Sequence, residues 1–345
     1  MTTPNVSARP AFETGKWDVD ASGYAWLAAC LVGYASIVLA ISGRTFGSLF
    51  IQYLHTLTEH LPQVLGPICV IGLLFRIRAH DVSSSLQFLR HRLPLLGFAI
   101  GGMLLALTAY TTVKILIPDV VPFYADEWAA RFDARLHGGV PWQWAHSVWP
   151  DSWSSALMLA YGKIWFAYWI ATPLYVVLWL RPDLARQYLW AFLLTLIICG
   201  NVLALMFSSF GPIYYDHFIA DPQFEGLQAS LKSLDGSESV LIYANYLLGS
   251  HENGDNAFGT GISAIPSMHV AVVVLNAWLF SQVNRIAGTL AWAFALLIQF
   301  GSVYTGWHYA IDGYLSAIVV TAIWAGVQRV DRSAWSWSRQ RQARA

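Results

Sequence analysis

Apolar positions along this chain collect into long runs, separated by short polar stretches that carry most of the charge. Eight runs approach the ~20 mostly apolar residues that a membrane-crossing helix needs. They fall at about 24–42, 61–77, 94–117, 154–180, 186–207, 267–284, 287–306 and 308–329. The second is interrupted by Pro62 and Pro67. The pattern predicts an all-α polytopic membrane protein with about eight transmembrane helices. A polar tail (1–23) precedes the runs, and a basic tail (331–345) follows them. Two long segments break the rhythm. Residues 118–153 place Trp128, Phe132, Leu136, Trp142 and Trp144 among charges, as an amphipathic element lying on a membrane interface does. Residues 208–266 hold an apolar, helix-compatible stretch from Ser239 to Leu248, then a polar stretch from Ser250 to Gly261. Both segments read equally as surface cover and as a lid over a lipid headgroup.

Composition supports this class. Hydrophobic residues make up 56% and charged residues 12%, against roughly 25% charged in a soluble chain. Seventeen Trp and sixteen Tyr suit two aromatic belts. Cys30, Cys69 and Cys199 lie in apolar runs without motif spacing, which excludes a disulfide framework and a cysteine metal site. No basic patch with interleaved aromatics points to nucleic acid, and no cleavable signal peptide is expected in the polar first 20 residues.

Net charge is zero, but the charges are sorted. Fourteen of the twenty Lys and Arg fall on one side of the expected membrane: Arg9, Lys16, Arg76, Arg78, Arg90, Arg92, Arg181, Arg186, Arg285, Arg329, Arg332, Arg339, Arg341 and Arg344. Arg44, Lys114, Arg131, Arg135 and Lys232 fall on the other, and Lys163 lies inside a run. The positive-inside rule then places both termini in the cytoplasm, with a plasma (inner) membrane location the simplest. The basic tail is read as an anchor to anionic lipid.

This topology brings two histidines to the same non-cytoplasmic face. His269 opens the sixth run in Ile265-Pro266-Ser267-Met268-His269. His308 opens the eighth in Gly306-Trp307-His308-Tyr309-Ala310-Ile311-Asp312. His308 and Asp312 are four apart and share a face if helical. A carboxylate bonded to one imidazole nitrogen fixes the tautomer and leaves the other nitrogen free to attack. The second histidine is available as an acid. The remaining histidines show no metal-ligand spacing, and neither a metal nor another cofactor is called for.

Pro266-Ser267-Met268-His269 followed by His308-x-x-x-Asp312 resembles the type 2 phosphatidic acid phosphatase (PAP2) superfamily. Its pattern is PSGH, then SRxxxxxHxxxD a few tens of residues later. The resemblance implies a PAP2-like helical core and a catalytic transmembrane domain at 154–330, after N-terminal helices and the interfacial segment at 24–153. It implies His308 as nucleophile, Asp312 as its orienter, His269 as general acid, and Ser267 as a phosphate contact. The chain departs from the pattern in its cations. Gly301-Ser302 stands where Ser-Arg is expected. Phe210-Gly211-Pro212-Ile213-Tyr214-Tyr215 stands where KxxxxxxRP is expected, and Met268 replaces a glycine. Loss of both cation motifs with the triad retained is similar to the branch that contains inositol phosphorylceramide synthase. The implied substrate is a lipid phosphate or a phospholipid headgroup, and the acceptor is water or another alcohol.

Lys163 is the sequence's candidate for the missing cation, ~14 Å into its run by helix rise, because an ionisable residue within a span is functional by default. Snorkelling toward the interface is its ordinary alternative. Tyr214, Tyr215 and Tyr304 are candidate donors to phosphate oxygens, though tyrosines are common at interfaces. Backbone N–H groups at helix starts and at the Gly259-Thr260-Gly261 turn favour an anion as well. The competing class is a non-catalytic lipid-binding protein or transporter. It accounts for the spans and an intramembrane lysine, and leaves the triad unexplained. Oligomeric state is left open.

Overall fold

The computed structural model describes residues 21–78, 80–219 and 222–342. The polar N-terminal tail up to residue 20 and residues 343–345 lie outside them. The described residues form helices and connecting turns without strands. In chain order these are α1 (Ala21–Ile41), α2 (Gly43–Ile77), α3 (Val82–Val120), α4 (Asp126–His137), α5 (Pro141–Val148), α6 (Ser154–Leu159) and α7 (Trp165–Trp179). There follow α8 (Pro182–Ile197), α9 (Ala204–Met206), α10 (Tyr215–Phe218), α11 (Leu227–Lys232), α12 (Glu238–Asn253), α13 (Met268–Val283), α14 (Arg285–Tyr304) and α15 (Ala310–Gln342).

Six helices are long and apolar enough to cross a membrane: Gly23–Ile41, Gly43–Ile77, Val82–Val120, Pro182–Met206, Arg285–Tyr304 and Ala310–Val330. The expected count of eight is not reached by length and composition. The run at 154–180 is divided by a π-helical turn, Ala160–Ile164. The run at 267–284 forms the 16-residue α13. Helices α2 and α3 begin well before the runs at 61 and 94, and each contains two prolines, Pro62 and Pro67 in one and Pro94 and Pro118 in the other. Neighbouring helices in a membrane bundle re-satisfy the backbone groups that proline frees. At Ile68 the indole N–H of Trp179 donates to the carbonyl at 3.2 Å. Helix starts carry ordinary caps. Asp81 accepts from Ser84 N–H at 2.9 Å, Ser267 from Val270 N–H at 3.3 Å, and Asn284 from Ala287 N–H at 2.8 Å.

One apolar core runs through α1, α3, α7, α8, α13, α14 and α15. A second caps one end of this bundle and is built from α4, α5, α11, α12 and the loops around Phe210, Ile265 and Tyr309. The apolar stretch expected at Ser239–Leu248 is the body of α12. The amphipathic character expected of 118–153 is realised in α4. Trp128, Phe132 and Leu136 are exposed along one stripe, and Ala129, Ala130, Asp126 and Asp133 are buried on the opposite side.

Those two buried acids fasten α4 to the loops at the capped end. Asp126 accepts the N–H groups of Phe210 (3.0 Å) and Gly211 (2.9 Å) and the Tyr309 hydroxyl (3.0 Å). Asp133 accepts the N–H groups of Ala310 (2.8 Å) and Ile311 (3.2 Å), which open α15. A carboxylate at a helix N-terminus takes up donors that have no partner in the helix and is favoured by its dipole.

Asp126→Asn is expected to cost about 1–3 kcal/mol, because an amide oxygen cannot replace both carboxylate oxygens as acceptors. Burial outweighs the donated hydrogen bonds and raises the Asp126 carboxyl from 3.8 to about 6. The unfolded chain gives up this proton first, so the wild type loses stability as pH rises from about 3.8 to about 6. Thermal unfolding in detergent across that window should show the slope in the wild type and its loss in the variant.

Candidate active site

Helix α13 runs away from the capped end and α14 returns to it, so the start of α13 and the turn before α15 lie side by side. The His269 and His308 rings meet there edge to face, with centroids 5.7 Å apart. His308 is buried and His269 is half-buried.

His308 lies two residues before the first helical residue of α15. Its ring therefore meets both Ala264 and Asp312 from the turn before the helix, and not from a helix face shared with Asp312. Its short bond is from Nδ1 to the Ala264 carbonyl, at 2.8 Å. The Asp312 Oδ2 atom stands 3.5 Å from the same nitrogen and accepts the N–H of Tyr309 at 3.0 Å. The expected orienting carboxylate is thus beside the imidazole, with a backbone carbonyl as the closer partner. Both acceptors lie on Nδ1, which makes that nitrogen the donor and Nε2 the atom that bears the lone pair. Burial pushes the His308 imidazole down to about 3; the Ala264 bond opposes this, and the Lys114 ammonium adds to it. Neutral imidazole, the form a nucleophile needs, therefore prevails at ordinary pH.

His269 is held from α6 and α7. Trp165 stacks against its ring with centroids 3.9 Å apart and 30° between planes, and Tyr161 with centroids 4.5 Å apart and 11° between planes. The Trp165 indole N–H donates to the His269 carbonyl at 3.0 Å. Between these two aromatics runs the π-helical turn, a distortion often met at functional sites. Gly301 accommodates the arrangement from α14. A Cβ there would stand 2.9 Å from the Tyr161 ring.

The other sequence-predicted residues divide. Lys163 is not brought to the histidines. Its side chain is exposed, because Tyr161 and Trp165 turn inward and a residue two from each points the other way. The Ser267 hydroxyl faces the backbone of its own helix as the α13 cap, and its carbonyl accepts from Ser316 at 2.8 Å. The Tyr214 hydroxyl donates to the Ala244 carbonyl at 3.0 Å, and that of Tyr304 is paired with Ser154 at 2.7 Å. Tyr215 is buried against Phe224 and Phe210. Thr260 in the glycine turn donates to the Ala257 carbonyl at 2.7 Å.

Sequence reasoning left out Tyr161, Trp165, Asp126 and Asp133. The first two are an i, i+4 aromatic pair, and the two acids are seven apart on the face opposite Trp128 and Phe132. Those spacings are signals in retrospect.

The phosphate-loop positions are filled by packing. At Gly211 (φ 88°) a Cβ would stand 2.7 Å from the Trp307 carbonyl oxygen and 3.0 Å from Ala264 Cβ. The Phe210–Gly211 amides are taken by Asp126. Ser302 donates to the Ile298 carbonyl at 2.9 Å, and its own carbonyl accepts the His308 N–H at 3.3 Å.

Gly301→Ala is expected to displace the Tyr161 ring and to cost about 1–3 kcal/mol by overpacking. A detergent-solubilised variant that melts with the wild type would show that the ring yields freely and is not held by this contact.

Comparison with protein families matches the PAP2 superfamily over residues 127–326, a stretch that contains both histidines, Asp312, Tyr161 and Trp165. Neither the search of curated proteins nor that of solved structures returned a match. The match spans more than half of the chain and carries with it phosphatase-type phosphoester chemistry. The chain belongs to the PAP2 superfamily.

Proposed function

We propose that this protein is a membrane lipid phosphoesterase that works through a phosphohistidine on His308, with its site at the non-cytoplasmic membrane face. The observation that carries the reading is the pair of imidazoles 5.7 Å apart, one with Nδ1 tied to Ala264 and Nε2 left to attack. Neutral His308 attacks phosphorus through Nε2, and the bond from phosphorus to the leaving oxygen breaks. Protonated His269 gives its proton to that oxygen and becomes neutral. His269 then takes the proton of the acceptor hydroxyl, whose oxygen attacks phosphorus and breaks the N–P bond. Water as acceptor makes the protein a phosphatase, and a lipid or sugar alcohol makes it a phosphotransferase.

The absent cation motifs favour transfer of a substituted phosphate. A diester carries one negative charge where a monoester carries up to two, and so needs fewer cations to bind. This is the reaction type of the inositol phosphorylceramide synthase-like branch. The fixed dipole at the start of α13 favours an anion at this end without a metal ion.

Purified protein with EDTA, offered a panel of lipid phosphates and phospholipids, is the test. Substrate labelled in its phosphate should leave acid-labile, base-stable label on the wild type and none on His308→Ala, which should also lose turnover by about three orders of magnitude or more. Turnover retained by His308→Ala would sink the reading. Free phosphate as product would identify hydrolysis, and a new phosphorylated lipid on addition of diacylglycerol, ceramide or an inositol lipid would identify transfer.

A further inference from the structure

Lys114 lies near the capped end of α3, outside the family match, and the sequence placed it only among the charges of the non-cytoplasmic side. The structure places it against the site. Residue 261 packs directly on it. A Cβ on Gly261 (φ 92°) would stand 3.0 Å from the Lys114 carbonyl carbon, 3.0 Å from the Ile115 nitrogen and 3.1 Å from Lys114 Cγ. Three residues on, Ala264 holds His308. Tyr110, four residues before Lys114 and therefore on the same helix face, borders the other histidine. A Cβ on Gly200 would meet the Tyr110 ring at 2.4 Å and Met268 Sδ at 3.4 Å, and Met268 precedes His269. One face of α3 thus runs past both histidine-bearing segments, and the Lys114 ammonium is within electrostatic reach of His269 and of His308.

Its surroundings hold no counter-ion. Among the described residues Lys114 makes no ion pair and no hydrogen bond. Neutral polar groups on α3 and on the loop that carries Gly261 are hydrogen-bonded to phenols. Tyr53 is bonded to Thr111 at 2.6 Å, and Tyr243 donates to the Gly259 carbonyl at 2.9 Å. The acid beside His308, Asp312, accepts the N–H of Tyr309. A half-buried ammonium without an anion is unfavourable unless something else offers one. The two family cation positions offer no positive charge here.

We propose that Lys114 is the substrate-binding cation of this site, contacting a non-bridging phosphate oxygen. This inference rests on the reading of His269 and His308 as the phosphoryl-transfer pair. It makes α3, in the N-terminal half, a contributor to a site whose other residues lie in the matched segment.

Orthovanadate, a phosphate mimic that needs no knowledge of the lipid, tests it. Binding to purified protein in detergent is measured by calorimetry for the wild type, Lys114→Met, Lys114→Gln, Lys114→Arg, His308→Ala and the surface control Lys232→Met, with thermal melts alongside. We expect Lys114→Met and Lys114→Gln to weaken vanadate about tenfold or more, with Lys114→Arg and Lys232→Met close to the wild type. If Lys114→Met does not fold, Lys114→Gln against Lys114→Arg carries the comparison. Wild-type affinity in both neutral variants overturns the proposal, as does a wild type that binds no vanadate. Loss in the lysine variants with His308→Ala unaffected would keep Lys114 as the anion site and overturn the role of His308. Loss in His308→Ala alone would do the reverse.

Discussion

Two helix starts and a loop must share one end of a bundle for this site to exist, and the hydrogen bonds of their backbones have to be closed without water. Unpaired N–H groups in an apolar interior are costly. Three carboxylates close them here. Asp126 takes the amides of Phe210 and Gly211, Asp133 those of Ala310 and Ile311, and Asp312 that of Tyr309. The Ala264 carbonyl completes the set by taking His308 Nδ1. Removing α4 would therefore expose donors in both the 210 loop and the start of α15. This is why an interfacial helix, whose outer face is Trp128, Phe132 and Leu136, is integral to the site and not merely its cover.

The same arrangement sets charge around the site. Asp126 and Asp133 stand close enough to Asp312 to repel it, and the three carboxylates accept backbone N–H groups. The Lys114 ammonium is within electrostatic reach of both histidines. The stacked aromatics on His269 fix the second ring by packing, where His308 is fixed by hydrogen bonding. The two rings are thus positioned by different forces, which lets each keep a nitrogen uncommitted.

Much of this was legible in the chain. The apolar runs located the long helices, and the spacing around His269, His308 and Asp312 placed these three residues at one end, because a helix pair returning to the same face is a consequence of length alone. What misled was the assumption of a regular helix and a local environment. Lys163 was read by depth into its run. Depth says nothing about azimuth, and Tyr161 and Trp165 claim the inward face. Lys114 was counted only among the charges of the non-cytoplasmic side, because its run ends a few residues later. Its enclosure comes from residues 254–264 folding back on α3, a contact that no periodicity announces. Asp126 and Asp133 looked like solvent charges of an amphipathic segment, and only their alignment opposite the apolar stripe marks them as inward.

The missing cations gain a physical reading from this packing. At the position of the family's serine, Gly301 has no side chain, and the Tyr161 ring lies in the space a Cβ would take. At the position of the arginine, Ser302 is buried with its hydroxyl returned to Ile298 and its carbonyl holding the His308 amide. A long cationic side chain at 302 would have to leave that core, and any side chain at 301 would push Tyr161 off His269. In this packing a Ser-Arg pair at 301–302 and the aromatic clamp on His269 compete for the same space. The site has apolar surface around His269, and the ammonium proposed to serve it comes from a different helix. Such a site suits a phosphate already substituted on more than one oxygen, since each substituent removes a charge to be met and adds surface for Tyr161 and Trp165 to border.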